Sequence, residues 1–204
     1  MRTAPLTAFL LLAASPLVAQ QGGKRPEGWK TRFDRPAPDS LLRFESMEPG
    51  WHITSGPSGI LYDPSRTAEG NFRVESEIFL FPSPPREAFG IFIGGENLDA
   101  PNQSYLYFLI RGDGRYLVKR RAGSETHELV PWTANEAIVK PDGGKGTAKN
   151  VLAIEAGAEK VRFLINGEEV TSLPRSEVDA EGIVGLRVNH NLDVHVSSLK
   201  VEPQ

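Results

Sequence analysis

Residues 103–111 read Gln-Ser-Tyr-Leu-Tyr-Phe-Leu-Ile-Arg, residues 112–114 read Gly-Asp-Gly, and residues 115–121 read Arg-Tyr-Leu-Val-Lys-Arg-Arg. Aromatic and branched apolar residues favour strands, and a glycine turn between two such runs is typical of a β-hairpin. Residues 106–110 are apolar on both faces, which is typical of a strand that is covered on both sides. This stretch therefore predicts a hairpin in the middle of a β-sandwich.

Similar patterns extend in both directions from the hairpin. Residues 72–81 alternate between Phe72, Val74, Ser76, Ile78 and Leu80 on one face and mostly charged residues on the other. Asn166-Gly167 is a strong hairpin turn, because both residues tolerate a positive φ. Roughly ten to twelve strands, with turns every 8–12 residues, predict an all-β fold, a two-sheet antiparallel jelly-roll sandwich.

Composition narrows the classes of function. The 204 residues include no cysteine, which excludes disulfides, thiol chemistry and a lipid-modified cysteine anchor. The formal net charge is −3, and nothing in this balance indicates a nucleic-acid partner or an anionic membrane. There is no glycine-rich phosphate loop, no nucleophile elbow and no zinc-ligand spacing.

The beginning of the chain predicts export. Residues 1–19 combine a basic start, an apolar centre and small residues, which is typical of a secretory signal peptide cleaved after Ala19. We expect an extended lead-in over 20–40, with a short strand near 29–33, and a sandwich domain over 41–204. The mature protein is then secreted or periplasmic, with no membrane span, and the absence of cysteine favours a bacterial exported protein.

Several segments together resemble a known superfamily. They are residues 72–78, 88–92, 105–108, 150–154, 163–167 and 182–188. Their order resembles the concanavalin-A-like jelly-roll superfamily, and most closely the bacterial exported proteins of the 3-keto-disaccharide hydrolase domain, long a domain of unknown function. The resemblance implies two antiparallel sheets with a concave face that often holds carbohydrate. Fold alone does not assign a function.

Paired carboxylates are the first requirement of a retaining glycosidase. Glu75 and Glu77 lie two residues apart on one strand face, as in the Glu-x-Asp-x-x-Glu frame of the family 16 glycoside hydrolases. Leu80 stands where that frame has its final glutamate, the acid/base. We therefore favour carbohydrate binding without catalysis. A hydrolase of the 3-keto-glycoside type is the alternative, with Glu75, Glu77, His190 and His195 as its candidate catalytic residues. An envelope interaction or scaffold domain is a second alternative.

Aromatic residues are candidates for sugar stacking. Alternation places Tyr105, Tyr107 and Arg111 on one face, where rings stack on a sugar and arginine donates to hydroxyls. The alternative is that these rings belong to the core. Trp132 follows Pro131 in a predicted loop and is a candidate for exposed stacking. Trp51, beside His52, is equally consistent with a position in the core.

Polar loops supply the remaining ligand-binding candidates. Asn102 lies in the long loop before the hairpin, and Asn189, His190, Asn191 and Asp193 cluster between the last two strands. These side chains suit sugar hydroxyls, although Asn and Asp are also ordinary turn formers. We expect no cofactor and no transition-metal site, with a structural calcium at Asp193 as an alternative.

A basic patch surrounds the hairpin. It comprises Arg111, Arg115, Lys119, Arg120 and Arg121. Such a patch is suited to an anionic glycan, but alternation sends Arg120 to the face opposite Lys119 and Arg121.

Overall fold

The structure is a computed structural model and describes residues 25–144 and 146–204. The predicted signal peptide, residues 1–19, and the first residues of the lead-in lie outside the described residues. Within the described ranges, no helix has the length and apolar character needed to span a membrane.

Strands make up most of the described chain. They are β1 (Lys30–Phe33), β2 (Leu42–Ser46), β3 (Trp51–Ser55), β4 (Gly59–Ala68), β5 (Phe72–Leu80), β6 (Ala88–Glu96), β7 (Ser104–Arg111), β8 (Arg115–Ala122), β9 (Glu125–Ala134), β10 (Ala148–Ala156), β11 (Lys160–Ile165), β12 (Glu168–Pro174), β13 (Gly182–Val188) and β14 (Leu192–Pro203). The helical segments described are three 3-10 turns, at Asp39–Leu41, Asp142–Gly144 and Arg175–Glu177.

The strands form two antiparallel seven-stranded sheets. Sheet A has the order β1-β4-β13-β6-β7-β8-β9, and sheet B has the order β12-β11-β10-β5-β14-β3-β2. The inner faces of both sheets meet in one large apolar core that includes Phe72, Ile91, Phe108 and Phe163. This arrangement confirms the all-β jelly-roll sandwich predicted from alternation.

The opening hairpin is β7–β8, the fifth and sixth strands of sheet A, next to the edge strand β9. Tyr107 pairs with Lys119 and Arg111 pairs with Arg115. The inward side chains of β7, including Phe108, join the core between the sheets. The outward side chains, including Tyr107, join a second apolar cluster on the other face. Both faces of β7 are therefore covered, as predicted, but sheet B covers only the inner one.

The predicted lead-in contributes to the sheet. Its expected short strand is β1, in which Lys30 pairs with Tyr62 of β4 at the edge of sheet A. After β1, residues 34–41 cross from sheet A to β2 at the edge of sheet B.

The expectation that Trp132 lies in a loop is wrong. β9 continues through Ala134, with Thr133 paired to Tyr116 and Ala134 paired to Arg115. Because β9 is the edge strand of sheet A, Pro131 interrupts no ladder on its outer side.

The turn between β13 and β14 connects the two sheets. β13 lies inside sheet A and β14 lies inside sheet B, so residues 189–191 pass from one sheet to the other. Asn191 adopts a φ of 53°, a conformation that asparagine tolerates better than most residues. Side chains before and after this turn therefore belong to different surfaces.

Candidate functional site

The outer face of sheet A, turned away from sheet B, carries a buried apolar cluster. We call it the outer-face cluster; it comprises Ile60, Tyr62, Ala88, Phe92, Leu98, Tyr105, Tyr107, Leu109 and Leu117. Tyr105 is 5.2 Å from Phe92 and 5.6 Å from Tyr107, measured between ring centroids. The aromatic rings on a solvent-exposed sheet face would be exposed, whereas the rings of this cluster are buried. The outer face of sheet A is therefore a second packed apolar layer.

A buried arginine crosses this cluster. Arg187 of β13 points outward, its side chain is 8% exposed, and it donates to Asp34 at 3.0 and 2.6 Å. It also donates to the Tyr105 hydroxyl at 3.2 Å, and its guanidinium lies 4.9 Å from the centre of the Tyr107 ring. A two-point arginine–carboxylate contact has fixed geometry, so Asp34 is held in place just after β1.

The surroundings shift the ionisation of these groups. Burial alone would raise the pKa of the Asp34 carboxyl, but the hydrogen bonds and charge of Arg187, a hydrogen bond from Ser58 and the charge of Arg121 outweigh it. The pKa of Asp34 therefore lies below its ordinary value, and this carboxyl is ionised at neutral pH. Burial raises the pKa of Tyr107 to about 12, so its hydroxyl keeps its proton.

The loop between β6 and β7 covers one end of the cluster. Asp99 accepts hydrogen bonds from Lys30 and from the Tyr62 hydroxyl, both at 2.6 Å. Arg32 donates to the carbonyls of Leu98 and Ala100 at 2.6 and 2.9 Å. These contacts fasten the loop to strand β1 at the edge of the sheet.

A cavity of about 480 Å³ lies against the Asp34 side of the cluster. It is lined by residues 34–37 and 57–58, together with Arg121, Ser124 and His190. Arg121 lies near the end of β8, and the other lining residues come from four connections: β1–β2, β3–β4, β8–β9 and β13–β14. Its size is that of a small-molecule site, and convergent polar side chains from several loops are typical of one.

Two polar side chains of the cavity lining lie close to each other, and a carboxylate outside the lining lies close to one of them. The Ser58 hydroxyl lies 3.3 Å from His190 Nε2, and His190 Nδ1 lies 3.7 Å from the Glu87 carboxylate. This order matches that of a nucleophile, a base and an orienting acid. However, the Ser58 hydroxyl donates its single proton to Asp34 at 2.9 Å. This part of the cavity is therefore arranged to present hydrogen-bonding groups rather than an activated serine.

The predicted stacking residues are partly occupied by other contacts. Tyr105 and Tyr107 are 2% and 5% exposed within the outer-face cluster, so they lie beneath the surface rather than on it. Arg111 pairs with Asp113 at 2.6 Å and covers the Trp132 ring at 4.2 Å from its centre. One face of Trp132 is therefore already occupied by a cation.

The predicted polar loop residues are divided between the two sheets. His190 lines the cavity of sheet A. Asp193 lies on the outer face of sheet B, where it is 2.8 Å from His52. Asn189 and Asn191 use their backbone amides to close the turn, on Ala88 and Gly56.

Asn102 is exposed in the β6–β7 loop and does not line the cavity.

The alternative catalytic residues are not brought together. Glu75, Glu77 and His195 lie on the outer face of sheet B, while His190 lies at the cavity of sheet A. Glu75 is ion-paired with Arg73, and Glu77 with Lys149 at 3.0 Å.

Within the described ranges, no group of three or more His, Asp or Glu side chains is placed to hold a metal ion.

Sequence reasoning missed Asp34, Ser58 and Arg187. A signal for Arg187 was present, because it is the only charged residue in the apolar strand Gly-Ile-Val-Gly-Leu-Arg-Val. A charge in such a strand needs a buried partner. Nothing in the sequence pointed to Asp34 as that partner.

Comparison with solved structures gives the same fold. A carbohydrate-binding module, CBM66 from Bacillus subtilis, matches with a TM-score of 0.60 at 17% identity over 86% of this chain and 95% of that one. A Bacillus subtilis protein of unknown function with a galectin-like fold matches with a TM-score of 0.62 at 12% identity, over 86% and 89%. A family 16 glycoside hydrolase from Bacteroides ovatus, in complex with a glucan product, matches with a TM-score of 0.57 at 7% identity, over 85% and 94%.

No family model and no curated protein matches the chain. The structural similarities are all below 25% identity and therefore concern the architecture. They show the two-sheet antiparallel jelly-roll fold that the sequence predicts.

Proposed function

We propose that this protein binds carbohydrate, without cleaving it, in the cavity beside the outer-face cluster. The observation that carries the proposal is the convergence of Ser58, Arg121 and His190 on one cavity of about 480 Å³. The guanidinium of Arg121 and the imidazole of His190 can donate to sugar hydroxyls, and the Ser58 hydroxyl, whose proton goes to Asp34, can accept from them.

The fold is consistent with this role. One similar structure is a carbohydrate-binding module, and another is a glycoside hydrolase holding a glucan product. Both similarities are of fold, so the ligand class for this chain rests on its own cavity.

The arrangement of carboxylates favours binding over hydrolysis. A glycosidase of the usual kind needs two carboxyl groups on either side of the scissile bond, about 5–9.5 Å apart. Among the described residues that line the cavity, Asp34 is the only carboxylate, and Arg187 and Ser58 already occupy it. Hydrolysis of a 3-keto-glycoside, which the resemblance implies, remains the alternative. Turnover of such a substrate that is lost in His190→Ala would favour that alternative.

We also propose that the protein works outside the cytoplasm. The proposal rests on residues 1–19, which have the pattern of a secretory signal peptide. Exported carbohydrate-binding domains meet glycans at the cell surface or in the medium. Detection of the cleaved protein in a periplasmic or culture fraction is the test.

The two histidines provide a matched test of the binding site. Calorimetric titration of a panel of oligosaccharides into the protein is expected to find at least one ligand. His190→Ala should weaken its binding by about tenfold, the equivalent of one lost hydrogen bond. His195→Ala, on the outer face of sheet B, should leave the affinity unchanged. Binding of no saccharide, or weakening only in His195→Ala, would contradict the proposal.

A further inference from the structure

The cavity carries an excess of positive charge. Arg35 and Arg121 both line it, and the carboxylate of Asp34 is taken up by Arg187. Within residues 25–144 and 146–204, neither Arg35 nor Arg121 forms an ion pair. The ion pair between Arg25 and Asp39 lies outside the cavity lining. Two arginines at one cavity are therefore without an acidic partner in the protein.

Arg121 differs from the other basic residues of the hairpin. Arg111 pairs with Asp113 at 2.6 Å, Lys119 with Glu128 at 3.4 Å, and Arg120 with Asp179 at 2.7 Å. Arg115 donates to the Trp132 carbonyl at 3.2 Å. Three of the five residues of the predicted basic patch are therefore paired with acids, and of the other two, Arg115 and Arg121, only Arg121 lines the cavity.

The Arg121 side chain is buried part of the way along its length. Its Nε atom is buried and has no hydrogen-bond partner among the described residues. A buried donor without an acceptor is costly, and such groups in native proteins call for an explanation. Arg121 also lines the same cavity as Asp34, beside the outer-face cluster.

We propose that the ligand of this cavity is an acidic saccharide, whose carboxylate is bound by Arg121 with the help of Arg35. The inference rests on the proposed function and names its substrate class. The planar guanidinium offers parallel N–H donors that fit a carboxylate at two points. A uronic acid supplies that carboxylate together with the hydroxyls that Ser58 and His190 would bind.

The test compares a uronic-acid trisaccharide with its carboxyl-reduced, neutral counterpart by calorimetric titration into the mature protein. The acidic sugar is expected to bind at least about tenfold more tightly, the equivalent of one charge-assisted contact. Its affinity should fall as salt rises, while that of the neutral sugar should not.

Two neighbouring arginines supply the variants. Arg121→Gln should weaken binding of the acidic trisaccharide by about tenfold more than it weakens binding of the neutral one, because only the acidic sugar loses a charge-assisted contact. Arg120→Gln, whose side chain pairs with Asp179 instead, should change neither. A urea unfolding midpoint equal to that of the unmodified protein shows that Arg121→Gln is still folded.

The outcomes separate this inference from the proposed function. Equal affinity for the acidic and neutral sugars, or an unchanged preference in Arg121→Gln, would overturn the inference and leave carbohydrate binding in place. A preference for a sulfated trisaccharide over the uronic-acid one would overturn the assignment to a carboxylate. Binding of neither sugar, nor of any other in the panel, would overturn the proposed function itself.

Discussion

The two sheets of the sandwich have outer faces of opposite character. The outer face of sheet B is a lattice of ion pairs, in which Arg73 contacts Glu75 and Glu155, Arg162 contacts Glu155, and Lys149 contacts Glu77. The outer face of sheet A is an apolar cluster with one buried ion pair and a cavity beside it. On sheet B these charges are paired with one another, whereas Arg35 and Arg121, at the cavity beside sheet A, form no ion pair among the described residues.

This difference shows why proximity of carboxylates in sequence is a poor guide to chemistry. Glu75 and Glu77 share a strand face with the spacing of a glycosidase pair, yet each has its own cationic partner on an open surface. Arg35 and Arg121, which form no ion pair among the described residues, line the cavity beside the other sheet. We therefore base the proposed site on unpaired cations that line a cavity rather than on carboxylates that are close in sequence.

The two outer faces should differ most in the free energy of unfolding that is lost when an aromatic side chain is removed. Phe92→Ala should lower the free energy of unfolding by about 3–5 kcal/mol, because Phe92 is fully buried in the outer-face cluster. Phe79→Ala, on the half-buried outer face of sheet B, should cost no more than about 1–2 kcal/mol. Urea unfolding at neutral pH measures both. Equal losses would contradict the view that the outer face of sheet A is a true packed layer.

The buried ion pair gives the next comparison. Asp34→Ala leaves Arg187 buried without its partner and should cost about 3 kcal/mol in urea unfolding. Glu77→Ala breaks only the exposed pair with Lys149 and should cost less than about 1 kcal/mol. Replacing both buried partners, with Asp34→Ala and Arg187→Met together, should be less damaging than Asp34→Ala alone. A loss in Asp34→Ala no larger than that in Glu77→Ala would rule out this account of the pair.

A smaller difference is expected in how the free energy of unfolding depends on acidic pH. Because the pKa of Asp34 is lowered in the folded state, its stabilisation is complete above the unfolded carboxyl value of about 3.9 and is lost as pH falls through the folded value. The free energy of unfolding should therefore fall less steeply below about pH 5 in Asp34→Asn than in the unmodified protein. Urea midpoints across a pH series measure the two slopes, and parallel curves would contradict the assignment.

The sequence predicts the fold better than it predicts the site. Strict alternation in Phe72–Leu80 and the Gly-Asp-Gly hairpin are local patterns, and the structure contains both as expected. The pairing of Asp34 with Arg187 joins positions 153 apart and depends on which strands become neighbours. Local periodicity carries no such information.

The polar residues after β13 illustrate the same limit. His190 and Asp193 are three positions apart and look like parts of one loop. They separate because β13 belongs to sheet A and β14 to sheet B, so the turn delivers them to different surfaces. Alternation within a strand was predictable, but the change of sheet between strands was not.

The central claim is that the ligand binds beside sheet A and not on sheet B. Two-dimensional amide NMR during titration with a uronic-acid trisaccharide tests it most directly. We expect the amide signals of the cavity residues to shift with ligand concentration, namely those of residues 34, 35, 37, 58, 121–124 and 190, while those of Glu75, Glu77 and His195 stay in place. Shifts confined to the outer face of sheet B would contradict the claim.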